Sequence, residues 1–322
     1  MYRYIIALVL TFAPFAAQSQ LTMLNELVVY GYEGLSFLQY TVQDGTVQRR
    51  TGGGGGLGYI YYITNRLSIA TGVEVGAFGA TAEVGELFGG KHSLYFSPER
   101  GTEGVLFNST YLQYKEEQTV IYGHIPLMLQ LFVPLPATSH RFYIAAGVKA
   151  GIALKSDYRV TFSKLTTSGY LPYADQTLNN SMENNYITRN NNSRRFDVDS
   201  KLLLKPNLAG AAELGIRWSL ERGAALYTGV YADYSILNVQ QQSKAPLVMS
   251  TDENGVFAYQ SILEAQYDQQ AAYLSPVEPT PVISSHYVDN VRLISVGVKL
   301  KLAFNIQAYD FQRRIICGCQ QW

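Results

Sequence analysis

Along residues 141–155, apolar positions alternate with small or polar ones. Phe142, Ile144, Ala146, Val148, Ala150, Ile152 and Leu154 fall on one side, and Tyr143, Ala145, Gly147, Lys149, Gly151, Ala153 and Lys155 on the other. Successive side chains of a strand point to opposite faces, so the pattern predicts a strand with one oily face and one face mixing small residues with charge. The same period returns at 290–304, where Ile294, Val296, Val298, Leu300, Leu302 and Phe304 oppose Ser295, Gly297, Lys299, Lys301 and Ala303. It recurs at 67–82, 118–133, 204–220 and 224–239, and more faintly, with ambiguous facing, at 26–40 and 54–63. About eight strands long enough to cross a bilayer follow from this reading. Aromatic-punctuated stretches at 93–114 and 256–274 could add a hairpin and raise the number to ten.

The spacing between these segments is itself informative. Three connections are short, at 64–66, 134–140 and 221–223, whereas the alternate ones run over 83–117, 157–203 and 240–289, with a shorter one at 41–53. Short turns at one rim and long loops at the other are expected of an all-β, transmembrane, antiparallel up-and-down barrel with periplasmic turns and extracellular loops. A closed barrel is also the one way besides a helix to pair every backbone group inside lipid. The Asn-, Ser-, Asp- and Arg-rich stretch 174–200 and the proline-bearing stretch 274–289 read as irregular exposed loops.

The N-terminus adds a destination. Arg3 precedes an uncharged, mostly apolar run at 5–17, followed by Ala17-Gln18-Ser19, the three-part pattern of a secretory signal peptide. The expected division is a signal peptide over 1–19, a barrel over 20–304 and a periplasmic tail over 305–322, placed in the outer membrane of a Gram-negative bacterium. Composition agrees: charged residues make up 16%, against roughly 25% in soluble domains. The 25 tyrosines, each with an apolar ring and a polar tip, suit a membrane–water boundary. A formal net charge of zero speaks against nucleic acid as a partner.

Candidate chemistry is sparse. The inward faces are expected to carry Glu74, Lys149, Lys155, Glu213, Arg217, Asp233, Lys299 and Lys301, read as a structural charge network, because eight strands enclose a space that side chains nearly fill. Glu74 and Glu213 are not an acid–base pair unless they meet near a substrate. The histidines, His92, His124, His140 and His286, lack metal-ligand spacing, so no metal is expected. Ser284-Ser285-His286 near the outer rim leaves a lipid-modifying hydrolase as one reading, but the expectation is no enzyme and no cofactor. The run 52–56, five glycines, has no following Lys-Ser/Thr and is no phosphate loop; it predicts a bend or a place where a neighbouring side chain crosses the lumen. Pro126 predicts a bulge or bend. Cys317 and Cys319 lie in the tail without a partner pair.

At this point the chain resembles the PorT-like outer-membrane barrels common in Bacteroidota. The resemblance rests on the signal peptide ending in Ala17-Gln18-Ser19-Gln20 and on the Gly-rich strand leading through Tyr59-Ile60-Tyr61-Tyr62-Ile63 into Arg66-Leu67-Ser68-Ile69-Ala70-Thr71-Gly72-Val73-Glu74. It rests also on His124-Ile125-Pro126-Leu127-Met128-Leu129 and on Phe142-Tyr143-Ile144-Ala145-Ala146-Gly147. These motifs are short and imply an architecture, not an activity, for the family is functionally mixed. Phe304, with Gly297, Leu300 and Leu302, resembles the terminal aromatic strand signal read by the outer-membrane assembly machinery, although 18 further residues, 305–322, follow it. The implied partners are outer-membrane lipid and lipopolysaccharide, that machinery, and an unidentified extracellular ligand. The functional expectation is an envelope structural or surface-binding role, with small-solute transport or secretion support as the alternative.

Overall fold

The computed structural model describes residues 25–42, 44–95, 104–171, 176–179, 189–190, 200–220, 223–243, 247–250, 257–268 and 284–306. The expected signal peptide, the tail from 307 with Cys317 and Cys319, and most of 174–200 and 274–283 lie outside these residues.

Eight strands form the wall: β1 (Asn25–Val42), β2 (Thr51–Tyr62), β3 (Leu67–Tyr95), β4 (Gly104–Pro134), β5 (Arg141–Thr161), β6 (Asn207–Ser219), β7 (Ala224–Ser235) and β8 (Val288–Ile306). Each pairs antiparallel with the next in sequence. β8 returns to β1 over a register running from Asn25↔Ile306 to Val42↔Val288, which closes the ring at eight and excludes ten wall strands. Both ends of the wall lie at the rim that also carries the short turns. The turn after β2 is fastened by Ile63 N–H and Thr64 N–H, both donating to the Leu67 carbonyl.

The exterior is apolar because the alternation places it there. Leu127, Leu129, Leu131 and Val133 on β4, and Val296, Val298, Leu300, Leu302 and Phe304 on β8, stand exposed, while Met128, Gln130, Phe132, Lys299, Lys301 and Ala303 are buried. Tyr59, Tyr61 and Phe304 face outward near the short-turn rim, where amphipathic rings meet an interface. Glu33 departs from this pattern: it is a charged residue exposed on β1 between Val29 and Leu35.

Several expectations need correction. The stretch 83–117 is not a loop over most of its length; β3 has 29 residues and β4 has 31, and their ladder continues to Tyr95↔Gly104. At about 3.3 Å per residue β3 follows a path of roughly 95 Å, far beyond the ~25 Å apolar band. The upper wall therefore forms a sheet-built dome, whose core gathers Tyr111, Tyr114, Val120, Val160, Phe162 and Leu165 against Ile262 and Leu263 from the 240–289 connection. Pro126 causes no bulge: the β3–β4 ladder omits the pairs between Thr71↔Leu127 and Glu74↔His124 and resumes in the same register. Thr71 Oγ1 donates to the Pro126 carbonyl at 2.9 Å across this gap. The bulge lies instead in β5, where Tyr122↔Ala153 is followed by Ile121↔Lys155.

The glycine run does what its lack of side chains allows. A Cβ on Gly54 would lie 2.5 Å from the Tyr32 hydroxyl oxygen, and one on Gly56 2.8 Å from the corresponding Tyr30 oxygen, so both tyrosines lie across the bare inner face of β2. The tyrosines are accordingly more than an interface belt. Tyr111, Tyr114, Tyr122, Tyr143 and Tyr227 are among the largest fully buried side chains.

Candidate functional site: the closed lumen

Inward positions of five strands bring opposite charges together halfway along the barrel. Lys149 Nζ donates to Glu74 Oε1 at 2.7 Å and to Asp233 Oδ2 at 2.8 Å. Lys299 Nζ donates to Glu213 Oε1 at 2.6 Å and lies 3.8 Å from Glu74 Oε2. Lys301 donates to the other Glu213 oxygen. Tyr30 completes the group by donating to Glu74 Oε2 at 3.1 Å. Nearer the short-turn rim, Arg217 Nη2 donates to Glu26 Oε1 at 2.6 Å, and the Tyr227 hydroxyl donates to Glu26 Oε2 at 2.6 Å.

Buried charges are tolerated when each is paired and hydrogen-bonded. Among the described residues these lumen groups comprise four acids, Glu26, Glu74, Glu213 and Asp233, and four bases, Lys149, Arg217, Lys299 and Lys301, which balance. Rings fill the remaining space: Lys299 Nζ sits 4.4 Å from the Tyr30 ring centroid, and Lys301 Nζ 5.5 Å from that of Tyr143. A void beside the network, with Gln130, Lys301 and Glu213 in its lining, holds about 30 Å³, room for a water or two.

Seven of the eight charges expected inside are there. Lys155 is not. The β5 bulge adds a residue at Leu154 and reverses the phase above it, so Lys155 is exposed and pairs with exposed Asp157 at 3.0 Å. Glu26 was missed, because the faint alternation of 26–40 gave no facing; its signal would have been an acid immediately before Leu27, in phase with Val28 and opposite the outward Leu27 and Val29. Phe304 is outward and 46% exposed, two positions before the end of β8.

Above the apolar band a second buried polar centre pins the dome. Glu116 is fully buried and accepts hydrogen bonds from Tyr114 OH, Gln118 Nε2 at 2.8 Å, Ser261 Oγ and the Ile262 N–H at 3.0 Å. Burial, opposed by these hydrogen bonds, raises its carboxyl above the ordinary value. Glu264, in the same turn, is also raised by burial and accepts from the Leu203 N–H. The turn carrying Ser261 to Glu264 thus sits over the mouth as a stopper.

The remaining candidates do not converge. Ser284–His286 pairs with Gln266–Asp268 as a short strand, and His286 Nδ1 lies 3.3 Å from the Ala265 carbonyl oxygen. His140 is at the opposite rim, where its Nδ1 accepts from Ser219 N–H at 3.3 Å, and His124 lies inside the wall. No group of three or more His, Cys, Asp or Glu residues suited to a metal occurs among the described residues.

A closed antiparallel ring, oily outside and ionic inside, has one environment in which both faces are satisfied. The protein is a transmembrane β-barrel of eight strands. No protein-family model matches the sequence, and no curated protein matches it. Solved structures of similar shape include Neisserial surface protein A, at 10% identity and TM-score 0.30 over 87% of this chain and 97% of that one. The outer membrane protein OprG from Pseudomonas aeruginosa is similar at 10% identity and TM-score 0.33, over 89% and 97%. The translocator domain of the autotransporter NalP from Neisseria meningitidis follows at 9% identity and TM-score 0.23, over 95% and 96%. Likeness at this level bears on neither activity nor partners.

Proposed function

We propose that this protein is a non-enzymatic outer-membrane barrel of a Gram-negative bacterium, closed to solutes, that acts through its extracellular dome in surface binding or in the structure of the envelope. One observation carries the reading: the lumen charges neutralise one another across strands, and the dome turn with Ile262 and Leu263 fully buried sits above them. A conducting path would have to break both. The short-turn rim is then periplasmic, and Phe304, outward on the last strand, is the aromatic that the assembly machinery would read. The PorT-like motifs support the same placement. Outer-membrane lipid and lipopolysaccharide are the surroundings this exterior fits.

Planar-bilayer recordings test the proposal. The purified barrel should give no unitary conductance above the leak of the membrane, and steady ohmic steps would overturn it in favour of the transport alternative. A hydrolase acting through Ser285 and His286 is the second alternative; lipid A mass spectra that change with the protein and not with Ser285→Ala would establish it.

A further inference from the structure

The outward face changes character at one level of the wall. On β8 the outward apolar series runs from Phe304 up to Ile294. That is about 33 Å of strand, or about 25 Å along the axis at a tilt of about 40°, the height of the hydrocarbon band. The next outward residue is Arg292, whose neighbours Val291 and Leu293 belong to the dome core on the other face. On β1 the same alternation sends Leu38 and Tyr40 inward and Phe37 outward, directly above exposed Leu35. The register sets Phe37 beside Ile294 on β8 and beside Gly79 on β3, with Arg292 opposite Gln39.

Two more arginines lie over this junction. Arg49 ends the short strand Gly45–Arg49, which pairs with β3 up to Arg49↔Ala80. Its guanidinium carbon sits 5.0 Å from the Phe37 ring centroid, so it covers an outward ring that is otherwise left to solvent. Arg50 follows, and its stem crosses the bare outer face of Gly79, where a Cβ would lie 3.1 Å from Arg50 Cδ. Arg292 is held in turn against Tyr234, donating to its hydroxyl with the guanidinium carbon 5.5 Å from the ring centroid. Three guanidinium groups are thus fixed by rings and a glycine at the upper end of the oily wall. Among the described residues none of them is in an ion pair, in contrast to the paired cations of the lumen. Glu33 lies lower, beyond Leu35, and Glu83 is taken by Lys115 at 3.0 Å and Gln48 at 3.2 Å.

Arginine forks match phosphate oxygens in a bidentate fashion, and the level just above the hydrocarbon is where lipid phosphates lie. We propose that Arg49, Arg50 and Arg292 form a binding site for the phosphate groups of a membrane lipid, with its acyl chains against Leu35, Ile294 and Val296. Given the proposed outward orientation of the dome in an outer membrane, on which the choice of occupant rests, that lipid is the phosphorylated glycolipid of the outer leaflet, lipopolysaccharide.

The experiment is native mass spectrometry of the full barrel released from a neutral detergent, titrated with diphosphoryl lipid A and, separately, with the same lipid stripped of both phosphates. The phosphorylated lipid should bind about tenfold or more tightly than the stripped one, the worth of a charge-assisted hydrogen bond. The triple variant Arg49→Gln, Arg50→Gln and Arg292→Gln should lose this preference, and Arg292→Gln alone should weaken it. Arg66→Gln, exposed at the short-turn rim, should leave it intact. Folding of each variant is checked by heat-sensitive gel mobility. Equal binding of the two lipids by the native barrel, a preference that survives the triple variant, or an equal loss in Arg66→Gln would overturn the site. Displacement of the lipid by inorganic phosphate would reassign it to a free anion. Conductance is a separate matter: a barrel that conducts yet prefers the phosphorylated lipid loses the closed-lumen reading and keeps this site, and a silent barrel without the preference does the reverse.

Discussion

Glu213→Ala is the sharpest test of how the lumen is held. Glu213 is the carboxylate shared by Lys299 and Lys301, and all three are buried. Removing it leaves the two lysines unequally placed. Lys299 retains Glu74 at 3.8 Å and the Tyr30 ring, whereas Lys301 keeps only the Tyr143 ring. Breaking a buried pair from one side costs about 3–5 kcal/mol, and a cation–ring contact returns about 0.5–2. The expected loss is therefore about 3 kcal/mol. Lys301→Met removes a cation instead, and Glu213 then still holds Lys299 at 2.6 Å, so that loss should be near 1 kcal/mol. Urea unfolding of both variants in detergent micelles, followed by the heat-sensitive gel mobility of folded barrels, gives the two numbers. Equal losses, or a Glu213→Ala loss below about 1 kcal/mol, would refute the claim that the buried lumen charges are held by pairing with one another.

Other outcomes follow from the same geometry. Lys155→Ala, at an exposed pair, should change stability by no more than about 0.5 kcal/mol in the same assay, unlike any lumen lysine. Gly54→Ala places a Cβ 2.1 Å from the Val75 carbonyl oxygen and 2.5 Å from the Tyr32 hydroxyl oxygen, and should cost about 1–3 kcal/mol by unfolding. The Glu116 carboxyl is raised in the folded dome, so the fold binds its proton more tightly than the unfolded chain does. Its stabilisation is full below the ordinary value of 4.5 and is lost as pH rises through the raised value. Protease nicking of the dome should accordingly increase over that window in the native protein and depend less on pH in Glu116→Gln, where of these two carboxyls only Glu264 still titrates.

The wall was legible in the sequence wherever one face had to be oily. On β4, β5 and β8 a slip of one residue would have sent leucines inward, so facing could be read position by position. The reading failed where that constraint lapses. Beyond the bulge at Leu154 the wall leaves the apolar band, and nothing in the composition of 153–157 marks the lost phase that turned Lys155 outward. In the dome both faces are sheltered or polar, so the continuation of β3 and β4 looked like a loop. The tyrosines were misread in part because a ring with a hydroxyl suits a lumen of paired ions as well as an interface, as Tyr227 shows by donating to Glu26. The charge network was visible as residues, but its pairing was not: Lys149 meets Asp233 across 84 positions, a proximity set by strand order and register rather than by any local pattern.

The most direct test of the barrel itself is lipid exposure along β4. Single spin labels would be placed at each of positions 125–133 in a background with Cys317 and Cys319 replaced by serine, and the protein reconstituted in bilayers. Oxygen, which concentrates in the hydrocarbon, should collide strongly with labels at 125, 127, 129, 131 and 133 and weakly with those at 126, 128, 130 and 132, the positions whose side chains face the filled interior. Oxygen contact that does not alternate, or outward positions that respond instead to a water-soluble nickel reagent, would contradict the membrane-spanning wall.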